Sequence, residues 1–390
     1  MASPIEIIEA KVAAGARLSR EDGLALFESA DLLALAALAD RARQARHGLR
    51  GYYCVNTHVN YSNACINQCP LCAFWADPAD KRAYLLSPEE VLERARPDLQ
   101  AGATEVHIVG GLHPALTLDY CVRMVSLLHE AFPAACLQAF TAVEIDHVAR
   151  KAGVSVRDAL VRLKAAGLTG LPGGGAEIFD PLVRRRICPR KISGAEWLDV
   201  HRQAHRLDLT TNATMLYGHV ETRAHRVDHM LALRALQDET GGLAAFIPLP
   251  FHPHGTKFVA AATPTACEDL RTMAVARLLL DNVPHIKAFW IMLTPDLAQV
   301  ALRFGADDVD GTVVREEITH AAGASTPQGL TAADLEHLIR AAGCEPVQRD
   351  TLSRPVARGL CVSWPPVNTR GADARRSVGG RAAPGVFTGG

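Results

Sequence analysis

Three of the chain's ten cysteines fall within eight residues, Cys65-Ile66-Asn67-Gln68-Cys69-Pro70-Leu71-Cys72. Three thiolates at C-x-x-x-C-x-x-C spacing can share one metal centre. Structural zinc normally takes four protein ligands, and a four-iron, four-sulfur (4Fe-4S) cluster has four irons to ligate. No fourth cysteine lies close by; the next is Cys121. Three ligands on such a cluster leave one iron open, and an open iron binds a substrate. The alternatives at this point are zinc completed by His58 or a distant cysteine, and coincidence. Cys54, Cys121, Cys136, Cys188, Cys267, Cys344 and Cys361 are scattered and read as small buried hydrophobes or inert thiols.

The elements that must position this loop are legible around it. Glu21–Arg46 is rich in Ala and Leu without Pro and reads as helical. From Tyr52 onward, short β-rich runs alternate with amphipathic helices. The predicted strands are Tyr52–Val59, Glu105–Val109, Leu137–Phe140, Leu168–Leu171, Thr210–Met215, Ala244–Pro248, Ile286–Met292 and Asp308–Gly311. Helix starts are marked by Ser87 with Glu90, Ser193 with Glu196, Thr265 with Glu268 and, more weakly, Thr331 with Asp334. After Ser193, the residues Trp197, Val200, Ala204 and Leu207 share one face, as a helix covering a sheet requires. Eight such units predict an α/β fold, a (β/α)8 TIM-type barrel, with a partial barrel of six units as the alternative. No G-x-G-x-x-G follows the first strand, which disfavours a dinucleotide fold. The expected division is a helical extension over 1–50, the barrel over 51–354 and a disordered tail over 355–390, where seven Gly and four Pro accompany a single acid, Asp373.

Of 390 residues, 48% are hydrophobic, and 41 basic side chains face 42 acidic ones. That balance argues against a nucleic-acid partner, which favours a basic excess. No apolar run approaches the roughly 20 residues of a membrane helix. Met1–Ala10 carries Glu6 and Glu9 without a basic residue, unlike a secretory signal. The expectation is a cytoplasmic protein that spans no membrane.

The cysteine spacing resembles that of the radical S-adenosylmethionine (SAM) enzymes. In that superfamily the residue before the third cysteine is often aromatic; here it is Leu71, still apolar. Further stretches narrow the likeness: Gly110-Gly111-Leu112-His113-Pro114, Phe140–Glu144, Leu171–Phe179, Thr211–Thr222, Phe246–Pro253 and Gly305–Thr312. Together, over roughly residues 50–354, they resemble the aminofutalosine synthases of the futalosine route to menaquinone. Cyclic dehypoxanthine futalosine synthases and deazaflavin-forming synthases are the neighbouring families, and a reaction of that related kind is the rival reading. A non-enzymatic iron–sulfur protein is the more distant one. The resemblance implies a 4Fe-4S cluster on Cys65, Cys69 and Cys72, with SAM on the open iron as a consumed co-substrate. It implies addition of the deoxyadenosyl radical to the vinyl carbon of 3-[(1-carboxyvinyl)oxy]benzoate. Aryl migration and decarboxylation then give 6-amino-6-deoxyfutalosine. It also implies a reducing partner such as a flavodoxin or ferredoxin.

Barrel enzymes carry their chemistry where strands end in loops, and each stretch above sits there. Gly110 and Gly111 are expected against the methionine moiety of SAM, since glycine admits close approach. Gly173-Gly174-Gly175 is a second permissive loop. Glu144 and Glu177 are expected at ribose hydroxyls or in proton handling, with helix capping as the alternative for each. Asn212, Thr214 and Tyr217 offer neutral polar contacts. His219, His252 and His113 are candidates for substrate carboxylates or proton transfer. The catalytic set is therefore Glu144, His219 and His252, and the cofactor-binding set is Gly110, Gly111, Glu177, Asn212 and Tyr217. His201 and His205 have i, i+4 spacing but no H-E-x-x-H context, and read as a helix face.

Overall fold

The computed structural model describes residues 4–258 and 264–356. Most of the expected tail lies outside the described residues. The strands are β1 (Arg50–Cys54), β2 (Asn56–Val59), β3 (Glu105–Ile108), β4 (Cys136–Ala139), β5 (Gly170–Leu171), β6 (Thr210–Tyr217), β7 (Leu243–Pro250), β8 (His285–Ile286), β9 (Asp308–Gly311) and β10 (Glu345–Gln348). Strands β2 to β8 form a curled parallel sheet in chain order, while β1 lies between β10 and β9 in a second sheet. Only Val55 separates β1 from β2, so one stretch of chain belongs to both sheets. Bridges Lys287–Asp308 and Thr57–Val314 bring β9 against β8 and β2. Eight parallel strand positions thus surround one interior.

The expected strands are found, with three changes, of which the first is that Tyr52–Val59 divides at Val55 between the two sheets. The seventh ends at Ile286, and Trp290–Leu293 turns helical. There the Trp290 indole donates to the Gly311 carbonyl at 2.8 Å, so that apolar run packs as a helix end rather than pairing. Strand β10 is additional to the expected set; it contains Pro346 and pairs with β1 alone, an edge position where a missing N–H is tolerated. Capping boxes form at Ser87, Ser193 and Thr331. At Thr265 the side chain caps Glu268 N, but the Glu268 carboxylate is engaged by Arg223 and Arg226 instead of closing the box.

Helices Pro4–Ala13, Arg20–Glu28 and Leu32–His47 precede the barrel. The last buries Leu35, Leu38 and Ala39 and delivers His47 to a buried network. His47 stacks on His285 at 5.1 Å, and its Nε2–H donates to the Pro284 carbonyl at 3.0 Å. Asp307 meets His285 at 2.5 Å, the Ile286 N–H at 2.9 Å and the Arg277 guanidinium. Helix Gly194–His205 buries Trp197, Val200 and Ala204 on the sheet, and its His201 and His205 both reach the Thr211 hydroxyl at 2.8 Å. Among the described residues no helix is long and apolar enough to cross a membrane.

The buried histidines set a pH limit. Burial lowers His47 and His205 to about 4 and His229 to about 3, from 6.5. Below pH 6.5 the unfolded chain therefore binds protons that the folded chain refuses, and stability falls as pH drops toward 4. Each such histidine contributes a slope of up to about 1.4 kcal/mol per pH unit. The thermal midpoint, measured by circular dichroism, is expected to be flat above pH 7 and to fall steeply between pH 6 and 4.

Candidate active site

A cavity of about 350 Å³ opens at the strand ends and reaches into the barrel. Its mouth is lined by Cys65, Cys69 and Cys72 together with Phe74, Trp75, Gly110, Gly111 and Gly173–Gly175. The cysteine loop follows β2 and is pinned by backbone bonds, Cys65 N to Ala76 O at 3.1 Å and Ile66 N to Leu112 O at 3.1 Å. Within it Cys72 N donates to Cys69 O at 3.1 Å, and Gln68 takes a left-handed φ of 46°.

The donor set suits an iron–sulfur cluster better than one zinc ion. Tetrahedral zinc at 2.3 Å from each sulfur would hold ligand atoms about 3.8 Å apart. Among the described residues, the three candidate ligand atoms that lie within 4.8 Å of one another belong to His47, His285 and Asp307, not to the cysteines. The three cysteine sulfurs are thus not gathered as closely as one zinc ion would hold them. The other described cysteines do not line the cavity. His58 stacks on His107 at 4.4 Å. Burial pushes the Cys69 thiol up to about 12, partly offset by Lys191.

Gly110 and Gly111 do line the mouth, but their missing side chains serve the chain itself. A Cβ on Gly111 would lie 2.4 Å from the Ala64 carbonyl oxygen, and one on Gly110 2.9 Å from the Tyr61 ring. Gly111 N donates to Ser62 O at 2.7 Å. The pair therefore seats the cysteine loop on the end of β3.

Glu144 locks the same seat. Its carboxylate accepts from Tyr61 OH at 2.7 Å, Gly110 N at 3.2 Å, and Thr141 N and Oγ1 each at 2.7 Å. Burial pushes this carboxyl above its ordinary value, and the four donors oppose that shift. Four donors saturate a carboxylate, so Glu144 holds the loop and caps helix Ala142–Ala152 rather than presenting a free acceptor.

Glu177 lines the cavity in a left-handed conformation, φ 49°. It pairs with Lys191 at 2.5 Å. Burial disfavours both charges, yet their attraction keeps Glu177 below and Lys191 above their ordinary values. Lys191 carried no sequence signal; it stands in an irregular segment, and only folding brings it to Cys69 and Glu177. Asn212 lines the cavity and donates to Gln138 at 3.3 Å. Thr214 also lines it, with its hydroxyl on the Gly173 carbonyl at 2.7 Å.

Of the three histidines, His252 reaches the cavity, its Nε2 2.9 Å from the Met292 carbonyl. His219 lies outside the cavity lining, bound to Leu216 O at 3.0 Å and to Glu221 at 3.0 Å. Tyr217 is likewise turned away, donating to Asp269 at 2.7 Å with Arg226 over its ring. Tyr217 faces outward because adjacent strand residues alternate faces, with Leu216 in the inward place; His219 lies past the strand end, after Gly218 at φ 90°, and is held by its own loop. His113 is not among the lining residues and accepts from Ala115 N at 2.9 Å.

The barrel interior adds residues that the sequence reading did not assign to the site, Asn56, Glu105, His107, Gln138 and Lys287, together with His58, weighed there only as a zinc ligand, and Asp310 of the Gly305–Thr312 stretch. Their signal was present as polar side chains at alternate positions of otherwise apolar strands. Lys287 meets Asp310 at 3.3 Å.

Three outcomes are expected of variants here. Gly111→Ala should unseat the cysteine loop and lower bound iron severalfold after anaerobic reconstitution, measured by iron and sulfide analysis. Cys65→Ala, Cys69→Ala and Cys72→Ala should each abolish the cluster absorption, whereas Cys121→Ala should retain it. Glu144→Gln cannot accept all four donors and should cost about 2–3 kcal/mol, read from chemical denaturation.

Residues 59–233 match the family model of the radical SAM superfamily, and residues 240–356 match that of the CofH/MqnC C-terminal region. The chain is 46% identical over 353 residues to the aminodeoxyfutalosine synthase of Thermus thermophilus, covering 90% of this chain and 95% of that one. It is 46% identical over 355 residues to the aminodeoxyfutalosine synthase of Streptomyces coelicolor, covering 88% and 92%. A 5-amino-6-(D-ribitylamino)uracil–L-tyrosine 4-hydroxyphenyl transferase of Methanococcoides burtonii is 39% identical, covering 87% and 96%. Among solved structures, methylornithine synthase superposes with a TM-score of 0.68 at 18% identity, covering 87% of this chain and 97% of that one. The hydrogenase maturase HydG of Carboxydothermus hydrogenoformans gives 0.72 at 16%, covering 90% and 80%; these two likenesses concern the fold. The chain belongs to the aminodeoxyfutalosine synthase family of radical SAM transferases, enzymes that use a 4Fe-4S cluster and SAM.

Proposed function

We propose that this protein transfers the 5′-deoxyadenosyl group of SAM to the vinyl carbon of 3-[(1-carboxyvinyl)oxy]benzoate, giving 6-amino-6-deoxyfutalosine for menaquinone synthesis. The observation that carries the reading is the 46% identity, over nearly the whole length, to two aminodeoxyfutalosine synthases. The transferases that act on tyrosine stand at 38–41%. Cys65, Cys69 and Cys72 would hold the cluster at the mouth. When bound, the cluster and SAM supply a primary carbon radical, which attacks almost any C–H bond within reach.

The chain's own residues then have two tasks. The first is exclusion and orientation. Leu216, Ile247, Leu249, Phe251, Phe289 and Met292 give the cavity an apolar wall, which suits an aryl ring and keeps water from the radical. The second is to hold charge at the correct end. The vinyl group must lie nearest the mouth, where SAM binds. The ring carboxylate then points inward, toward Lys287, His58 and His107. Lys287 has three donors, and Asp310 takes one at 3.3 Å. In this reading it orients the substrate by its benzoate end, and His252, nearer the mouth, meets the enol-ether carboxylate. Glu177 and Lys191 keep one ion pair beside the cluster ligands and so fix that wall.

The anaerobically reconstituted enzyme, supplied with SAM and the aryl enol ether, is expected to yield the adenosyl adduct by mass spectrometry, with free 5′-deoxyadenosine a minor product. Tyrosine with ribitylaminouracil should give none. Free 5′-deoxyadenosine as the sole nucleoside product, or an adduct with tyrosine, would exclude the assignment. Lys287→Gln is expected to raise KM for the enol ether at least tenfold, with a smaller change in kcat.

A further inference from the structure

Helix Pro181–Ile187 ends in three consecutive arginines with different environments. Arg184 is buried and donates to the carbonyls of Ile178 at 3.2 Å and Ile192 at 2.5 Å. It clamps the helix to the glycine-rich loop beside the cavity. Arg185 and Arg186 are exposed, and no carboxylate among the described residues pairs with either. Arg190, also exposed, has one partner, the Ile66 carbonyl at 2.9 Å. Several other exposed arginines are neutralised, Arg17 by Asp238 and Asp281, Arg20 by Asp228, Arg41 by Glu9 and Arg162 by Asp119, whereas Arg46, Arg50 and Arg157, like these three, meet no carboxylate among the described residues. What sets Arg185, Arg186 and Arg190 apart is their place: three arginines without a carboxylate fall within six residues, and the last of them is bonded to the cysteine loop. Two apolar side chains are exposed within it. Leu182, 61% exposed, shares a helix face with Arg185 and Arg186. Ile66, 38% exposed, directly follows Cys65.

We infer that Arg185, Arg186 and Arg190, with Ile66 and Leu182, form the docking surface for an acidic one-electron carrier protein. This rests on reading Cys65, Cys69 and Cys72 as ligands of a redox cluster. Exposed arginines around apolar side chains have the composition of a protein interface, and guanidinium groups bind carboxylates in paired, oriented contacts. Redox encounters are small, under about 1,200 Å², so a patch of this size suffices. Arg190 ties the patch to the carbonyl beside Cys65, so a partner seated there abuts the ligand loop. The carrier is oxidised by one electron and the cluster reduced by one; no bond forms or breaks at the surface. Complementary charge raises the encounter rate more than the affinity.

The test is stopped-flow reduction of the reconstituted full-length protein, followed by loss of cluster absorption. The reductants are a reduced acidic flavodoxin and, separately, dithionite. For the unmodified protein the flavodoxin rate should fall with rising salt. Charge reversal at Arg185→Glu with Arg186→Glu, which leaves the Arg190–Ile66 bond intact, should slow flavodoxin at least tenfold and flatten the salt dependence. Dithionite should remain within threefold. Arg185→Lys with Arg186→Lys should keep most of the flavodoxin rate, and calorimetric binding of flavodoxin should weaken only in the glutamate variant. Unchanged reduction by flavodoxin, or equal slowing by both reductants, would overturn the docking surface. A protein that takes up no cluster, seen by iron analysis, would overturn the cluster reading beneath it and the surface with it.

Discussion

The loop that carries three cysteines sits where it does because Gly111 has no side chain. Its backbone lies so close to Ala64 that a methyl group would stand 2.4 Å from a carbonyl oxygen. That approach presses the chain after β3 onto the chain after β2, and a backbone bond from Gly111 to Ser62 closes it. Glu144 reinforces the contact from a third strand end, binding Tyr61 in one loop and Gly110 in the other. The ligand set is therefore held by neighbouring strand ends rather than by its own loop. Rigid support of this kind is what a site built on a barrel rim requires.

Below the rim the interior departs from the usual barrel core of branched apolar side chains. His58, His107, Gln138, Asn212, Lys287 and Asp310 point inward. Burying such groups is costly unless they are bonded, and several are: Asn212 to Gln138, Lys287 to Asp310, Asn56 to Val313 N at 2.8 Å. The polarity of this interior is a site feature, kept at the expense of packing. At the opposite end, His47, His285, Arg277 and Asp307 form a second buried polar group that ties the last N-terminal helix to β8 and β9. The first network faces a ligand cavity; the second is satisfied by the protein itself. Their chemistry is similar, and their accessibility sets them apart.

How far the sequence could be read depended on the range of the interaction. Capping boxes at Ser87 and Ser193 are decided within four residues and were legible. At Thr265 the same signal was incomplete, because Arg226 is distant in sequence and drew Glu268 away. The strand at Ile286 was overextended for a related reason: a continuous apolar run does not state whether it pairs or packs. Glu144 was readable as a carboxylate at a strand end, with capping as one option. That it would also bind Tyr61 and Gly110 was not readable, since those partners come from other units. Tyr217 and His219 lay in a stretch that resembled the family, yet alternation along β6 put Leu216 inside and Tyr217 outside.

The sequence by itself determined the ligand chemistry and the frame: three cysteines at a spacing that suits a cluster with one open iron, on alternating strands and helices. Local spacing and local periodicity carry that information. The tertiary structure decided which polar groups meet the cavity. It brought Lys191 to Glu177 and Cys69, placed Lys287 and His107 in one interior, and turned His219 away. Those choices depend on strand register and on contacts between residues tens to hundreds of positions apart, where no local pattern in the chain can speak for both partners.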